Sequence, residues 1–173
     1  NLKKQIKKSI ETTKNAIYNV MKHHNELDNE SLATAYHDFT LIHEGKPKSF
    51  ENIIASGKNA TILHYDSNNS PIEENSLLLM DVGCYTNWYS SDISRTFPAN
   101  GKFTERQKQI YNIVLECNEY IISQVKPGQT LRGLNNLVIK FYEEKLKEIG
   151  LLENGKTVRD YYWHGVSHML GLE

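Results

Sequence analysis

The amino-acid sequence predicts an α+β fold in one domain of 173 residues. Apolar residues recur at helical spacing at the start of the chain and again in its second half. Between these helical segments, residues 50–98 contain short β-rich runs separated by turn residues. No linker or low-complexity segment divides the chain, and its length suits a single hydrophobic core.

Two helices are predicted before Gly45. The apolar face of the first consists of Leu2, Ile6, Ile10, Ile17, Val20 and Met21. Lysines fill its other face, but Glu11 and several Asn and Thr residues dilute their charge, so we interpret that face as solvated and not as membrane-binding. The second helix is predicted over residues 29–43, and Gly45 provides its stop signal.

Five strands are predicted in the middle of the chain. Their residues are 53–55, 61–65, 77–82, 85–89 and 93–97. Turn residues such as Gly57 and Gly83 separate them. The strands on either side of Cys84 are expected to pair as an antiparallel hairpin.

The second half of the chain predicts another pair of helices. Thr104 with Gln107 three positions later is a capping-box signature for the start of the third helix. Thr130 is the expected N-cap of the fourth, which Gly150 ends. Residues 161–173 are predicted to be extended. A helix pair followed by strands thus occurs twice, which hints at an internal duplication that no sequence period supports.

The composition is that of an ordinary soluble protein, with 39% hydrophobic and 24% charged residues. A net charge of −1 gives no indication of a nucleic-acid or anionic-lipid partner. The sequence shows no transmembrane or signal segment. Cys84 and Cys117 are too few for a disulfide framework, so we expect two reduced thiols and a cytoplasmic location.

Two aspartates are the first candidate site residues. Asp81 ends an apolar run in which a carboxylate is costly unless it is paired or binds a metal. Asp92 follows eleven positions later, and a hairpin would bring both carboxylates to one place, where a divalent metal would supply the positive charge between them. The alternative is structural, with Asp81 capping a turn and Asp92 pairing with Arg95.

Three histidines are the next candidates. His164 and His168 flank Gly165 in a segment that favours a strand or tight loop, and neutral imidazole is a common transition-metal ligand. The alternative is a core edge lined by aromatic and histidine side chains. His64 lies in a run expected to be a buried strand, where it is either a hydrogen-bonded core residue or a substrate contact.

Six segments, taken together and in order, resemble the pita-bread metallopeptidases, the group that includes aminopeptidase P, prolidase and methionine aminopeptidase. The segments are Phe50-Glu51-Asn52-Ile53-Ile54-Ala55-Ser56-Gly57, Ile62-Leu63-His64-Tyr65, Met80-Asp81-Val82-Gly83, Ser91-Asp92-Ile93-Ser94-Arg95-Thr96-Phe97-Pro98, Asn100-Gly101-Lys102-Phe103 and His164-Gly165-Val166-Ser167-His168. The resemblance covers nearly the whole chain. It implies a curved antiparallel sheet with helices packed on its outer face and an active site on the concave face.

The resemblance also implies five ligands for two divalent metal ions, which hold a hydroxide that attacks the carbonyl before proline. Asp81, Asp92 and His168 match three of these ligands, with Asp92 bridging, Asp81 holding one metal through two oxygens and His168 binding the other. His64 matches a histidine near the scissile bond, and His164 matches one that lines the substrate pocket. Manganese is the preferred metal for such a carboxylate-rich site, with cobalt or zinc as alternatives.

Within the group, the closest resemblance is to aminopeptidase P, because of Ser167-His168 and the segment from Arg95 to Pro98. The expected substrates are peptides with proline at the second position. Prolidase, which cuts dipeptides, is the alternative enzyme, and a pita-bread binding module that has lost catalysis is the alternative of another class. The three visible ligands argue against the binding module.

We expect residues 1–173 to be a truncated catalytic domain, because the chain opens directly in a helix and stops in a predicted strand. The family's two further glutamate ligands and an N-terminal domain would then lie outside it. The family's Gly-Leu-Asp is Gly171-Leu172-Glu173 here, a small departure. On this expectation the fragment is inactive by itself, its open sheet edge invites association, and the full-length protein is a homo-oligomer.

Overall fold

The computed structural model describes residues 1–169. Its helices are α1 (Leu2–Lys22), α2 (Glu30–His43), α3 (Glu105–Gln124) and α4 (Leu131–Glu148). Its strands are β1 (Ile53–Ser56), β2 (Leu77–Val82), β3 (Tyr85–Thr86), β4 (Tyr89–Ser90) and β5 (Ile93–Pro98). Short 3-10 helices occupy His24–Glu26, Gly57–Thr61 and Val158–Asp160. Contacts divide the chain into two compact units, and the boundary along the sequence lies between Thr104 and Glu105.

The four predicted helices are confirmed, and side-chain hydrogen bonds fix where two of them begin. Asn29 caps α2 by accepting a hydrogen bond from the backbone N–H of Ser31 at 2.8 Å. Thr130 caps α4 by accepting one from the backbone N–H of Gly133 at 3.0 Å. Within the described residues, no helix is long and apolar enough to cross a membrane.

The first unit contains an antiparallel sheet in the order β1-β2-β5. One face of this sheet packs against α1 and α2, as expected for helices on an outer face. The core between them contains Ile17, Val20, Leu27, Ala33, Ile54, Leu78, Met80, Val82 and Phe97. The alternate residues of β2, Leu79 and Asp81, therefore point to the opposite face.

Two strand predictions were wrong. Residues 61–65 do not form a strand, because the 3-10 helix ends at Thr61 and a turn follows. Residues 85–89 form two strands of two residues each, β3 and β4, which pair as a small hairpin between β2 and β5. β2 pairs antiparallel with β5 over six residues of each strand, so the expected hairpin forms with this later strand and not with the one directly after Cys84.

The second unit is built on the packing of α3 against α4. Its core consists of Cys117, Ile121, Leu134 and Val138, with Tyr142, Tyr162 and Val166 partly buried against it. Residues 161–169 contain one turn, two bends and no strand, so the predicted extended segment is not a strand in this range. Gly171, Leu172 and Glu173 lie outside the described residues. Cys84 and Cys117 are free and buried, as expected of thiols that form no disulfide.

Candidate active site

The antiparallel pairing of β2 with β5 sets the position of the two aspartates. Asp81 lies within β2 and is in register with Ser94 of β5. Asp92 lies immediately before β5, two residues ahead of Ser94. The Ser94 hydroxyl donates a hydrogen bond to Asp81 Oδ1 at 2.9 Å. Asp81 is thus held inside a strand by a neighbouring strand, and it does not cap a turn.

The two carboxylates interact electrostatically. Partial burial raises the pKa of Asp81, and the nearby negative charge of Asp92 raises it further, while the Ser94 hydrogen bond and the charge of His64 oppose the change. A divalent cation between Asp81 and Asp92 would remove this repulsion, and carboxylate oxygens suit hard or borderline ions. The donor set therefore fits a metal ion.

The backbone at Gly83 packs closely against the backbone at Ser91, and this contact supports the position of Asp92 near Asp81. A Cβ atom built on Gly83 would lie 2.1 Å from the backbone oxygen of Ser91, so only glycine fits there. Ser91 is buried, and its N–H donates to the Cys84 carbonyl at 2.8 Å. The Ser49 hydroxyl donates to the Ser91 carbonyl at 3.0 Å. These contacts fix the residue directly before Asp92.

His64 reaches the same face of the sheet from a different segment. The side chain is exposed and follows the 3-10 helix, so the prediction that it lies in a buried strand was wrong. Its neighbour Tyr65 is buried in a cluster with Ile53 and Ala55, against which Leu79 of β2 packs. Leu79 and Asp81 share one face of β2. The charge of His64 acts on the Asp81 carboxylate, which places the imidazole near that aspartate.

The second unit carries the other two histidines in its last described loop. Both side chains are exposed. The His164 ring lies 5.2 Å from that of Tyr162 and 5.9 Å from that of Trp163, between centroids. His168 Nδ1 donates a hydrogen bond to the Met169 carbonyl at 3.0 Å. In a neutral imidazole this acceptor keeps the proton on Nδ1 and leaves the lone pair on Nε2, the state that a metal-ligating histidine requires.

The structure thus groups Asp81, Asp92 and His64 within the first unit and describes His164 and His168 within the second. Among residues 1–169, no group of three or more His, Cys, Asp or Glu side chains is arranged to hold a metal ion. The described residues therefore show a pair of carboxylates that suits a metal, and not a complete ligand set.

Comparison with known proteins identifies the family. The sequence profile of metallopeptidase family M24 matches residues 4–173, nearly the whole chain. The chain belongs to this family. Its resemblance to pita-bread metallopeptidases is thereby confirmed.

Relatives of this M24 chain include two bacterial Xaa-Pro aminopeptidases. The protein from Haemophilus influenzae is 35% identical over 156 residues, which cover 86% of this chain and 36% of the relative. The protein from Escherichia coli is 36% identical over 145 residues, which cover 80% of this chain and 33% of the relative. The chain therefore spans about a third of the length of the curated relatives it matches.

Solved structures of aminopeptidase P share the fold. One from Bacillus anthracis superposes with a TM-score of 0.91 at 44% identity, covering 98% of this chain and 41% of that one. A histidine-to-alanine variant of the Escherichia coli enzyme gives a TM-score of 0.90 at 31% identity, covering 97% of this chain and 40% of that one. These similarities confirm the pita-bread fold of this M24 chain.

The sequence does not mark the buried and half-buried polar residues that hold the site segments in place. Glu30, Asn68 and Ser91 are the main ones. A glutamate in the first turn of a helix is usually an exposed partner of the helix dipole, so nothing in the sequence marks Glu30 as buried. The only available signal was Gly83 directly after the Asp81 strand, since such a glycine often marks a close backbone approach.

Proposed function

We propose that the full-length protein containing this chain is a metal-dependent aminopeptidase. It hydrolyses the peptide bond between an N-terminal residue and a following proline. The supporting observation is the carboxylate pair Asp81 and Asp92, with His64 on the same sheet face, in an M24 chain similar to Xaa-Pro aminopeptidases. This pair is the arrangement expected of a metal site and is unfavourable without a cation.

Asp81, Asp92 and His168 would hold two divalent ions, together with glutamates of the longer protein. Manganese is the preferred ion, with cobalt or zinc as alternatives, because carboxylates dominate the ligand set. Such ions lower the pKa of a bound water towards neutrality and so provide the nucleophile at physiological pH. The Met169 carbonyl supports this role of His168 by fixing its tautomer.

The other site residues orient the ligands and the substrate. Ser94 restrains one oxygen of Asp81 through its 2.9 Å hydrogen bond. His64 is exposed near the carboxylate pair, where it can donate a hydrogen bond to the scissile amide and to the charge that develops there. His164, also exposed, lines the pocket that receives the peptide.

The test is manganese-dependent release of arginine from the peptide Arg-Pro-Pro by the full-length protein. We expect Asp92→Ala to reduce release by about a hundredfold or more, because a metal ligand is lost. Asp28→Ala removes an exposed carboxylate of the first unit and should leave release unchanged. A peptide with alanine in place of the second residue should be a poor substrate.

Each contrary result identifies a different alternative. Cleavage of Xaa-Pro dipeptides alone would indicate prolidase. No release with manganese, cobalt or zinc would indicate a non-catalytic member that uses the cleft for binding. Full release by Asp92→Ala would overturn the assignment of the carboxylate pair.

A further inference from the structure

Glu30 is a fully buried carboxylate in the first turn of α2. Among the described residues, no lysine, arginine or histidine forms an ion pair with it. Its charge is instead balanced by hydrogen-bond donors. Burial alone would raise the pKa of Glu30, but donors from Asn59, Tyr65, Ser56 and Ser70 outweigh burial and lower it.

These donors come from four residues along one segment, residues 56–70. Glu30 Oε1 accepts from the Ser56 N–H at 2.8 Å, the Ser56 hydroxyl at 2.9 Å and Asn59 Nδ2 at 3.0 Å. Glu30 Oε2 accepts from the Tyr65 hydroxyl at 2.7 Å and from the Ser70 N–H at 3.0 Å. One carboxylate thus ties the beginning, middle and end of the segment that carries His64.

The hydrogen bond to Tyr65 acts directly beside His64. The Tyr65 ring is 7% exposed and packs with Ile53 and Ala55 on the sheet face that carries Asp81. Its hydroxyl also accepts from Asn59 Nδ2 at 3.0 Å. The side chain is therefore fixed at both its ring and its hydroxyl, and this fixes the backbone next to His64.

We propose that Glu30 is a positioning residue for His64: it holds residues 56–70 so that the imidazole stays at the Asp81–Asp92 pair. The inference rests on the proposed function, in which His64 contacts the scissile amide. Glu30 itself is fully buried and bonds to residues 56–70, so it acts through His64 and not on the reacting atoms. After Ser56, the last residue of β1, this segment has no strand or long helix beyond the 3-10 turn, so its conformation depends on side-chain hydrogen bonds.

Replacing Glu30 with glutamine tests this role because the two residues have nearly the same shape. An amide has one acceptor oxygen, and its NH₂ group only donates. If the NH₂ group takes the place of Oε1, the Ser56 N–H loses its acceptor. If it takes the place of Oε2, the Ser70 N–H does, so either orientation of Glu30→Gln leaves one backbone N–H at an end of the segment without its acceptor and loosens that end.

The experiment is a double-mutant cycle in the full-length enzyme, with Glu30→Gln, His64→Ala and both together. We expect Glu30→Gln alone to lower kcat for an Xaa-Pro peptide by about tenfold or more, with a smaller change in KM. In the His64→Ala background the same substitution should change kcat by less than about twofold, because there is no imidazole left to misplace.

Asp38→Asn is the matched control. Asp38 also lies on α2 and accepts hydrogen bonds, but from His37 and Asn52 and not from residues 56–70. Its effect on kcat should be small and equal in both backgrounds. Tyr65→Phe keeps the buried ring and removes only the hydroxyl, so it supplies a milder variant with the same non-additive pattern if Glu30→Gln does not fold.

Hydrogen exchange separates failure of this inference from failure of the proposed function. Glu30→Gln should speed exchange in peptides covering 56–70 while leaving peptides of β2 unchanged, whether or not the wild type is active. Equal losses of kcat from Glu30→Gln in both backgrounds would overturn the positioning role. Unchanged exchange in 56–70 would also overturn it. An inactive wild type would count against the proposed function alone.

Discussion

At the scale of single residues, the surroundings of three carboxylates in the first unit distinguish structural roles from functional ones. Glu30 and Asp38 each accept several hydrogen bonds, and their pKa values are lowered. Asp81 has the opposite shift, because burial and the negative charge of Asp92 raise its pKa. A carboxylate that the fold leaves beside a like charge is a candidate ligand, whereas a fully satisfied one is part of the scaffold.

Gly83 gives the first prediction at this scale. Alanine there would place a methyl group 2.1 Å from the Ser91 oxygen and 2.3 Å from Ser49 Oγ, so the backbone before Asp92 must move. We expect Gly83→Ala to lower the free energy of unfolding by about 2–3 kcal/mol, as in other overpacked sites. Urea unfolding of the purified chain measures it.

Gly133→Ala is the control for the same chemical change. Gly133 lies in the first turn of α4, where the nearest atom to an added Cβ is the end of the flexible Gln129 side chain. Alanine is the better helix former, so the free energy of unfolding of this variant should rise by up to about 1 kcal/mol. Equal effects of the two substitutions would contradict the close-approach explanation for Gly83.

Part of the candidate site was predictable from the sequence at this scale. The alternation of short β-rich runs and turns predicts a hairpin that brings Asp81 and Asp92 together. In the structure Asp81 lies in β2 and Asp92 directly before its partner strand β5. The exposure of His64 and the burial of Glu30 were not predictable. They arise from hydrogen bonds between residues up to 40 positions apart, which no local pattern encodes.

At the scale of elements, β1 is an edge strand whose outer side is closed by one side chain. Asn68 Oδ1 accepts from the Ile54 N–H at 2.7 Å, and Asn68 Nδ2 donates to the Asn52 carbonyl at 2.8 Å. The amide thus replaces the hydrogen bonds of a missing neighbour strand. This closes part of an edge that would otherwise be open to association.

Asn68→Gly tests this arrangement. Asn68 has a φ of 45°, which glycine adopts without strain, so the substitution removes the amide and leaves the backbone conformation accessible. We expect the variant to lose about 2 kcal/mol of unfolding free energy, because the buried Ile54 N–H is left without an acceptor. Hydrogen exchange at Ile54 should rise with it.

The control is Asn69→Gly in the same loop. It changes the unfolded chain in the same way, but the Asn69 side chain is exposed. Asn69→Gly should lower the free energy of unfolding by about 0.5 kcal/mol or less, beyond the loss caused by the added flexibility of the unfolded chain. If both variants unfold at the same urea concentration, Asn68 does not act as a substitute strand.

The strand predicted over residues 61–65 is a further case in which contacts between elements decide the structure. Thr, Ile and Tyr favour strands, so the composition of this run indicates β structure. In the structure Ile62 and Leu63 are exposed, and only Tyr65 is buried. Hydrogen bonds to Glu30 shape the segment, and tertiary interactions of this kind override local propensity. The helices were predicted well because their periodicity is a local property.

At the scale of the whole molecule, the chain consists of two compact units that each begin with a pair of packed helices. The sequence order of elements indicated this repetition, although no sequence period did. The first unit carries Asp81, Asp92 and His64, and the second carries His164 and His168. The proposed function depends on Asp81, Asp92 and His64, so the stability of the first unit is a condition for it.

The stability of the first unit should depend on pH through Asp38. Hydrogen bonds from His37 and Asn52 and the ammonium of Lys48, 3.1 Å away, outweigh burial and lower the pKa of Asp38 to about 2. Because this value lies below the ordinary 3.8, the stabilisation is complete above about pH 4 and disappears as the pH falls towards 2. Asp38→Asn should therefore lower the unfolding free energy by about 2 kcal/mol at pH 7 and by little near pH 2.

Urea unfolding at several pH values measures this difference, with the exposed Glu73→Gln as control. A difference between wild type and Asp38→Asn that stays constant down to pH 2 would show that packing and not charge accounts for the loss.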